Sequence, residues 1–183
     1  MTSRSKTIII VGGSNSHYPL IQMAKKGGYY TFVFDQDEKC EGAKLADNYV
    51  KLSTHDIDGI LSKCVEINKY YDLRGITTLS SSPTPLFAVA KICKALNLPS
   101  FPLNAVQLAT NKMLMKESFA NFDVPSPDWI MTDNVNDLAK FVKHANFPLI
   151  MKPSAGSMGS QGIALINNES DAIRLFPSVK EYS

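Results

Sequence analysis

Up to about residue 100, continuous apolar runs alternate with segments whose apolar residues recur at helical spacing. The runs cover Thr7–Val11 and Tyr30–Phe34; Asn48–Leu52 is a third, weaker strand pattern, and Gly75–Leu79 also has the pattern of a strand. Such runs are typical of parallel strands buried on both faces of a sheet. Because helical segments lie between them, the pattern predicts an α/β unit: a Rossmann-like, mainly parallel sheet with helices on both faces.

The helical segments carry start signals as well as periodicity. The clearest stripe follows Asp56, a candidate N-cap, and runs over Ile57–Val65 at positions i, i+3, i+4, i+7 and i+8. An earlier helix has Pro19 in its first turn and ends at paired glycines, and a later one follows the predicted loop Ser80–Pro85.

The alternation of strand-like and helical segments ends after Leu98, and prolines 125 and 127 mark a linker. We therefore predict three parts: residues 1–103, a linker helix within 104–124 that is interrupted near Asn111, and a second unit over 125–183. The elements predicted for the second unit are strands at Trp129–Met131, Leu149–Lys152 and Ile163–Ile166, a helix around Leu138–Ala145, and a final helix from about Ser170. This part is predicted to be α+β.

Composition narrows the class of protein. The 183 residues are 44% hydrophobic and 20% charged, with a formal charge of +2 and no block of like charge. These values indicate a globular protein without an electrostatic surface for nucleic acid, so we expect small-molecule partners. No run approaches the roughly 18 apolar residues of a membrane span, and the first residues are polar, so we expect a cytoplasmic protein. The three cysteines lack metal-ligand spacing and are expected to be unreactive thiols.

A loop rich in glycine and serine is the most informative motif. It follows Lys152, which closes a predicted strand. Glycine leaves backbone N–H groups unhindered, serine adds hydroxyl donors, and a lysine adds a compact charge, so the stretch is suited to phosphate groups. A mobile hairpin with a solvated lysine is the alternative. The candidate residues of this stretch for binding a triphosphate are Lys152, Ser154, Gly156, Ser157, Gly159, Ser160 and Gly162.

Two further loops follow the ends of predicted strands, where open parallel sheets bind ligands. The first begins at Gly12, but Ser14 and His17 occupy two glycine positions of the dinucleotide fingerprint, so nicotinamide or flavin binding is disfavoured even though Asp35 ends the second strand. The three histidines are scattered and are expected to be surface or capping residues. The candidate substrate-binding residues of the two loops are Gly13, Ser14, Asn15, Ser81 and Ser82, with helix capping as the alternative role for the serines.

Four stretches, in this order, resemble the N-terminal portion of ATP-grasp enzymes, most closely the carbamoyl-phosphate-synthase-like carboxylate–amine ligases. They are IIIVGGSNSHYPLIQMAKKGGYYTFVFDQD, CEGAKLADNYVKLSTHD, ATNKMLMKESFANFDVPSPDW and FPLIMKPSAGSMGSQGIALI. The resemblance implies a pre-ATP-grasp domain at 1–103 and a partial ATP-grasp lid subdomain at 125–183. It further implies that Lys112 and Lys152 bind ATP phosphates and that Ala155–Gly162 forms the lid.

The resemblance implies a reaction in which ATP activates a carboxylate as an acyl phosphate, which an amine or similar nucleophile then attacks. Family members continue through a larger lobe that supplies the Mg²⁺ ligands, and the carboxylates after Gly162 do not alternate along a strand as such a site requires. We therefore expect no metal site and no turnover in these 183 residues alone. Exposed apolar strand edges predict self-association, for instance as a homodimer, or disorder near the C-terminus. The alternative is a non-catalytic module that binds a nucleotide or another small ligand.

Overall fold

The computed structural model describes residues 4–154 and 162–182, and the chain divides after Val106 into two compact units. The first unit is built on a four-stranded sheet in the order β3–β2–β1–β4, and every neighbouring pair is parallel. Its strands are β1 (Lys6–Val11), β2 (Tyr30–Asp35), β3 (Asn48–Lys51) and β4 (Asp72–Thr77).

Helices cover both faces of this sheet, as the apolar pattern predicts. Side chains alternate along β1, so that Ile10 packs with Ile21 of the first helix, whereas Ile9 and Val11 pack on the opposite face with the third and fourth helices, around Ile60. The α/β class predicted from the sequence is confirmed. The helices are α1 (Tyr18–Lys26), α2 (Glu41–Leu45), α3 (Ile57–Tyr70) and α4 (Pro83–Ala95), and a 3-10 turn over Asn15–His17 leads into α1.

The second unit packs two helices on one face of a small antiparallel sheet. Its core contains Leu138, Val142, Ile166 and Ala172, all buried. This arrangement is the α+β character expected for this part of the chain. Its elements are α6 (Lys112–Asn121), α7 (Val135–Val142), β5 (Leu149–Met151), β6 (Ala164–Ile166) and α8 (Glu169–Lys180), and α5 (Leu103–Thr110) spans the division between the units.

The structure corrects two sequence predictions and adds one element that was not predicted. Trp129–Met131 is not a strand; it joins neither sheet, and its three side chains are more than a third exposed. The fourth strand lies at Asp72–Thr77, earlier than Gly75–Leu79, because its polar N-terminal half pairs with β1. The short helix α2 has too few residues for a detectable period.

Two further predictions concern breaks and thiols. The interruption near Asn111 is confirmed, since its side chain accepts hydrogen bonds from the amides of Met113 and Leu114 and so begins a new helix. Cys64 and Cys93 are free and buried; burial raises the pKa of Cys64 to about 12, so this thiol is unreactive at neutral pH. Among the described residues, no helix is long and apolar enough to cross a membrane.

Candidate functional site

The strand order creates a topological switch point in the first unit. The chain moves outward from β1 through β2 to β3 and then returns to place β4 on the other side of β1. The loops that follow β1 and β4, residues 12–17 and 78–82, therefore leave the same edge of the sheet side by side. In open parallel sheets this is where ligands bind.

The loop after β1 is held by close backbone contacts. Gly12 has φ +105°, and a Cβ on it would lie 2.6 Å from the ring of His17. The amide of Gly42, in α2, donates to the carbonyl of Gly13 at 2.8 Å, and a Cβ on Gly42 would lie 2.7 Å from the Gly13 Cα. The close contact between the backbones of Gly13 and Gly42 therefore holds the loop after β1 against α2.

Asp35, at the end of β2, stabilises the loop after β1 by a hydrogen bond to its backbone. Its Oδ2 accepts the amide of Gly13 at 2.7 Å, and its Oδ1 accepts the amide of Asp37 at 2.9 Å. Asp35 therefore anchors the loop after β1 and the turn after β2 through one backbone amide on each of its carboxylate oxygens.

His17 joins the two loops. It is only 4% exposed; Nδ1 lies 3.0 Å from the Ser14 hydroxyl, and Nε2 lies 3.4 Å from the hydroxyl of Thr78 beyond β4. Burial lowers the pKa of His17 below its usual 6.5, and the negative charge of Asp35 opposes this shift without cancelling it. The imidazole is therefore uncharged at neutral pH. The surface alternative is wrong for His17, which is buried; the residue does occupy the N-cap position of α1, although its side chain makes no capping bond.

A chain of hydroxyl contacts shapes the loop after β4. The hydroxyl of Thr78 accepts the amide of Ser80 at 3.0 Å, and the Ser80 hydroxyl accepts the amide of Ser82 at 3.1 Å. Ser82 precedes α4 but makes no side-chain capping bond, and Ser81 is exposed. The candidate substrate-binding residues Gly13, Ser14, Asn15, Ser81 and Ser82 are thus brought to one sheet edge.

In the second unit, Lys112 is the first residue of α6, directly after the capping residue Asn111. Its backbone position is fixed by the cap, and its side chain is half-buried. Whether it binds ATP phosphates stays a prediction.

Lys152 follows β5 and is exposed. The sheet face opposite α7 and α8 carries Ile150 and Leu165, which pair across the two strands and are 59% and 54% exposed. Ile163 adds a third side chain, at 44% exposure, and the three together form an apolar platform. This platform was not predicted from the sequence, although the alternation of Ile150 with the buried-face residues Leu149 and Met151 is its signal.

The glycine-rich lid lies largely outside the described residues. The candidates Gly156, Ser157, Gly159 and Ser160 fall in residues 155–161, which are not described. Of the remaining candidates, Gly162 has φ +70°, and a Cβ on it would lie 2.8 Å from the side chain of Tyr182. Ser154 precedes the gap.

A metal site was not expected from the sequence. Within residues 4–154 and 162–182, no group of three or more His, Cys, Asp and Glu side chains could hold a metal ion. The described residues therefore do not fit Mg²⁺, and that ion has no part in the chemical steps assigned to this chain below.

No family model matches the chain. N5-carboxyaminoimidazole ribonucleotide synthase from Staphylococcus aureus is 26% identical over 168 residues, which are 90% of this chain and 42% of that protein. A crystal structure of N5-carboxyaminoimidazole synthetase from S. aureus, complexed with ADP, superposes with a TM-score of 0.73 at 23% identity, over 98% of this chain and 46% of that one. An L-amino acid ligase from Bacillus licheniformis gives a TM-score of 0.69 at 21% identity, over 98% and 43%.

These neighbours are ATP-grasp carboxylate–amine ligases, so the resemblance predicted from the sequence is confirmed. The chain corresponds to an N-terminal portion and spans less than half of the length of the proteins it matches. The solved structures are less than 25% identical to it and establish its fold.

Proposed function

We propose that the chain is the N-terminal part of an ATP-dependent ligase that activates a carboxylate as an acyl phosphate and joins it to an amine or similar nucleophile. The observation that carries the proposal is the exposed apolar face of β5 and β6, next to Lys152. The likeness to ATP-grasp ligases, one of them complexed with ADP, supports it.

The apolar platform suits the base of ATP. Adenine is flat and largely apolar, and nucleotide sites combine apolar walls with a few placed polar groups. Ile150 and Leu165 lie opposite each other on the two strands and form such a wall. Lys152 directly follows β5, two residues after Ile150, so we assign its ammonium group to the phosphates of a nucleotide whose base lies on the platform.

The proposed reaction has two steps, transfer of the γ-phosphoryl group to a carboxylate and displacement of phosphate by an amine. A carboxylate oxygen of the substrate attacks the γ-phosphorus, the bond to the β-phosphate oxygen breaks, and ADP leaves. The amine then attacks the acyl carbon, a proton leaves the nitrogen, and phosphate departs. Lys112 and Lys152 are the described side chains assigned to the phosphates, where they would balance developing negative charge.

Nucleotide binding is tested by titrating ATP into the chain and following the methyl signals of Ile150, Ile163 and Leu165 by NMR. We expect shifts at all three residues. Lys152→Ala should weaken binding about tenfold, which corresponds to about 1.4 kcal/mol, because a charge-assisted contact is lost. Lys143→Ala, which removes an exposed lysine just after α7, is the matched control and should leave the affinity unchanged.

Either of two results would contradict the proposal: methyl signals that stay unmoved at saturating ATP, or equal affinities for the two lysine variants. Catalysis is a separate question, since we expect turnover only in a protein that also has the remaining lobe. There, ADP release that depends on both a carboxylate and an amine would support the ligase. Tight nucleotide binding without such release would favour the binding module.

A further inference from the structure

The end of α8 packs against the two residues that lie just beyond the paired ends of β5 and β6. A Cβ on Gly162, before β6, would lie 2.8 Å from both Cβ and Cγ of Tyr182. The same Cβ would lie 2.9 Å from Cγ of Pro153, which directly follows Lys152. Resting on the ligase function proposed above, we infer that Tyr182 is a positioning residue that holds Lys152 in place for the phosphates of ATP.

Gly162 allows these side chains to come together because it has none of its own. Its φ of +70° lies in the left-handed region that favours glycine, so the turn into β6 depends on this residue. The space beside its Cα is filled by Cβ and Cγ of Tyr182 and by Cγ of Pro153. Because the two side chains fill one space, the position of Pro153 depends on that of Tyr182.

Pro153 passes this constraint on to Lys152. Pro153 is buried, whereas Lys152 before it is exposed. A proline restricts the residue before it to extended backbone conformations, so a fixed Pro153 also fixes the backbone of Lys152. The register of β5 and β6 extends to the pair Met151 and Ala164. Packing of Pro153 therefore continues the constraint from the last strand pair to the lysine.

The backbone that carries Tyr182 is itself anchored in the second unit. Val179 is buried, and its carbonyl accepts the amide of Tyr182 at 3.2 Å. Nζ of Lys180 donates to the carbonyl of Asp133, which precedes α7, at 3.0 Å. Tyr182 is 55% exposed, yet its backbone is held by these contacts, so its side chain is a fixed support for Gly162.

A fixed backbone matters for a lysine that binds phosphate. The ammonium group is a point charge on a flexible four-carbon stem, and each freedom that is lost on binding lowers the affinity. A backbone that is already fixed at Lys152 reduces this loss. The effect of Tyr182 should therefore be confined to ligands that carry phosphates, since the apolar platform for the base is formed by strand residues.

The first test needs no ligand. In the 183-residue chain, Tyr182→Ala should increase the fast mobility of the Lys152 backbone amide, seen as a lower NMR order parameter. Tyr182→Phe keeps Cβ and Cγ and should preserve the wild-type value. Tyr70→Ala, which removes an exposed tyrosine at the end of α3, is the matched control and should change nothing at Lys152. Equal order parameters in wild type and Tyr182→Ala would overturn the inference.

The second test separates the phosphates from the base. ATP and adenosine are titrated into the chain and followed at the methyl signals of Ile150, Ile163 and Leu165. Tyr182→Ala should weaken ATP binding about three- to fivefold, as for one side chain that must be immobilised on binding, and leave adenosine binding unchanged. Tyr182→Phe should bind both ligands as the wild type does. Equal losses for the two ligands would overturn the inference, because the variant would then have damaged the platform as a whole.

A double variant shows whether Tyr182 acts through Lys152. In a Lys152→Ala background, Tyr182→Ala should cause no further loss of ATP affinity, since the group that it positions is already absent. Additive losses would show that Tyr182 acts by another route and would overturn the inference.

These outcomes separate the inference from the proposed function. A wild-type chain whose platform responds to neither ATP nor adenosine would contradict the ligase proposal and the inference with it. ATP affinities that are the same in wild type and Tyr182→Ala would overturn the inference and leave the ligase proposal standing.

Discussion

Asp47 lies directly before β3 and forms hydrogen bonds with Thr31 of the neighbouring strand β2. Its Oδ2 accepts the backbone amide of Thr31 at 2.9 Å and the Thr31 hydroxyl at 2.8 Å, and its own amide donates back to that hydroxyl at 3.1 Å. Lys25, on α1, lies 2.7 Å from Oδ1. Thr31 is fully buried in β2, so the carboxylate supplies the acceptor that a neighbouring strand would otherwise provide.

We predict that Asp47→Ala destabilises the first unit by about 2–3 kcal/mol. Leaving the buried amide of Thr31 without an acceptor costs about 1–3 kcal/mol. The partly exposed pair with Lys25 adds no more than about 1 kcal/mol. Asp47→Asn keeps an oxygen for the amide of Thr31 and loses the ion pair, so it should cost about 1 kcal/mol.

The stabilisation by Asp47 also has a predicted pH dependence. Burial acts to raise the pKa of Asp47, but the hydrogen bonds from Lys25 and Thr31 outweigh it and hold the pKa below the ordinary value of 3.8. A carboxyl whose pKa is lower in the folded protein stabilises the fold above the pKa of the unfolded chain. The stability difference between wild type and Asp47→Asn should therefore be constant near neutral pH and shrink as the pH falls below about 4.

Urea unfolding gives the free energies, and hydrogen exchange at the Thr31 amide reports the local effect. The matched control is Asp58→Ala, which removes a carboxylate at the start of α3 and should cost about 0.3–1 kcal/mol. The reasoning is refuted if Asp47→Ala costs no more than Asp58→Ala, or if exchange at the Thr31 amide is unchanged.

Three further perturbations test the loops and the helix start. Gly42→Ala should destabilise the fold by about 1–3 kcal/mol in urea unfolding, because its Cβ would lie 2.7 Å from the Cα of Gly13. Gly75→Ala is the control; a Cβ there would have no atom within 4 Å, so it should cost under about 0.5 kcal/mol. Equal costs for the two variants would contradict the close approach of Gly42 to Gly13. The imidazole of His17 should titrate below pH 6.5 when followed by NMR. The free energy of unfolding should fall as the pH drops below 6.5, since this histidine binds a proton more readily in the unfolded chain than in the folded protein. A titration midpoint above 6.5 would contradict the effect of its burial. Asn111→Ala should cost about 1 kcal/mol and speed hydrogen exchange in the first turn of α6, and unchanged exchange there would argue against the cap.

The two central strands, β1 and β2, could be predicted from the sequence because they are buried on both faces. A run such as Thr7–Val11 has no polar interruption, and in a chain of globular composition a parallel strand between two helix layers is what that pattern favours. Trp129–Met131 has the same local composition and is not a strand. A strand depends on a partner, and three apolar residues do not specify one.

The candidate site could be predicted only where a residue type carries its own signal. The glycines and serines after β1 and β4 indicate ligand-binding loops by composition. His17 gives no such signal, since a histidine among serine and asparagine resembles a surface residue. Its burial depends on β4 lying next to β1, so that Thr78, distant in sequence, reaches its Nε2 at 3.4 Å.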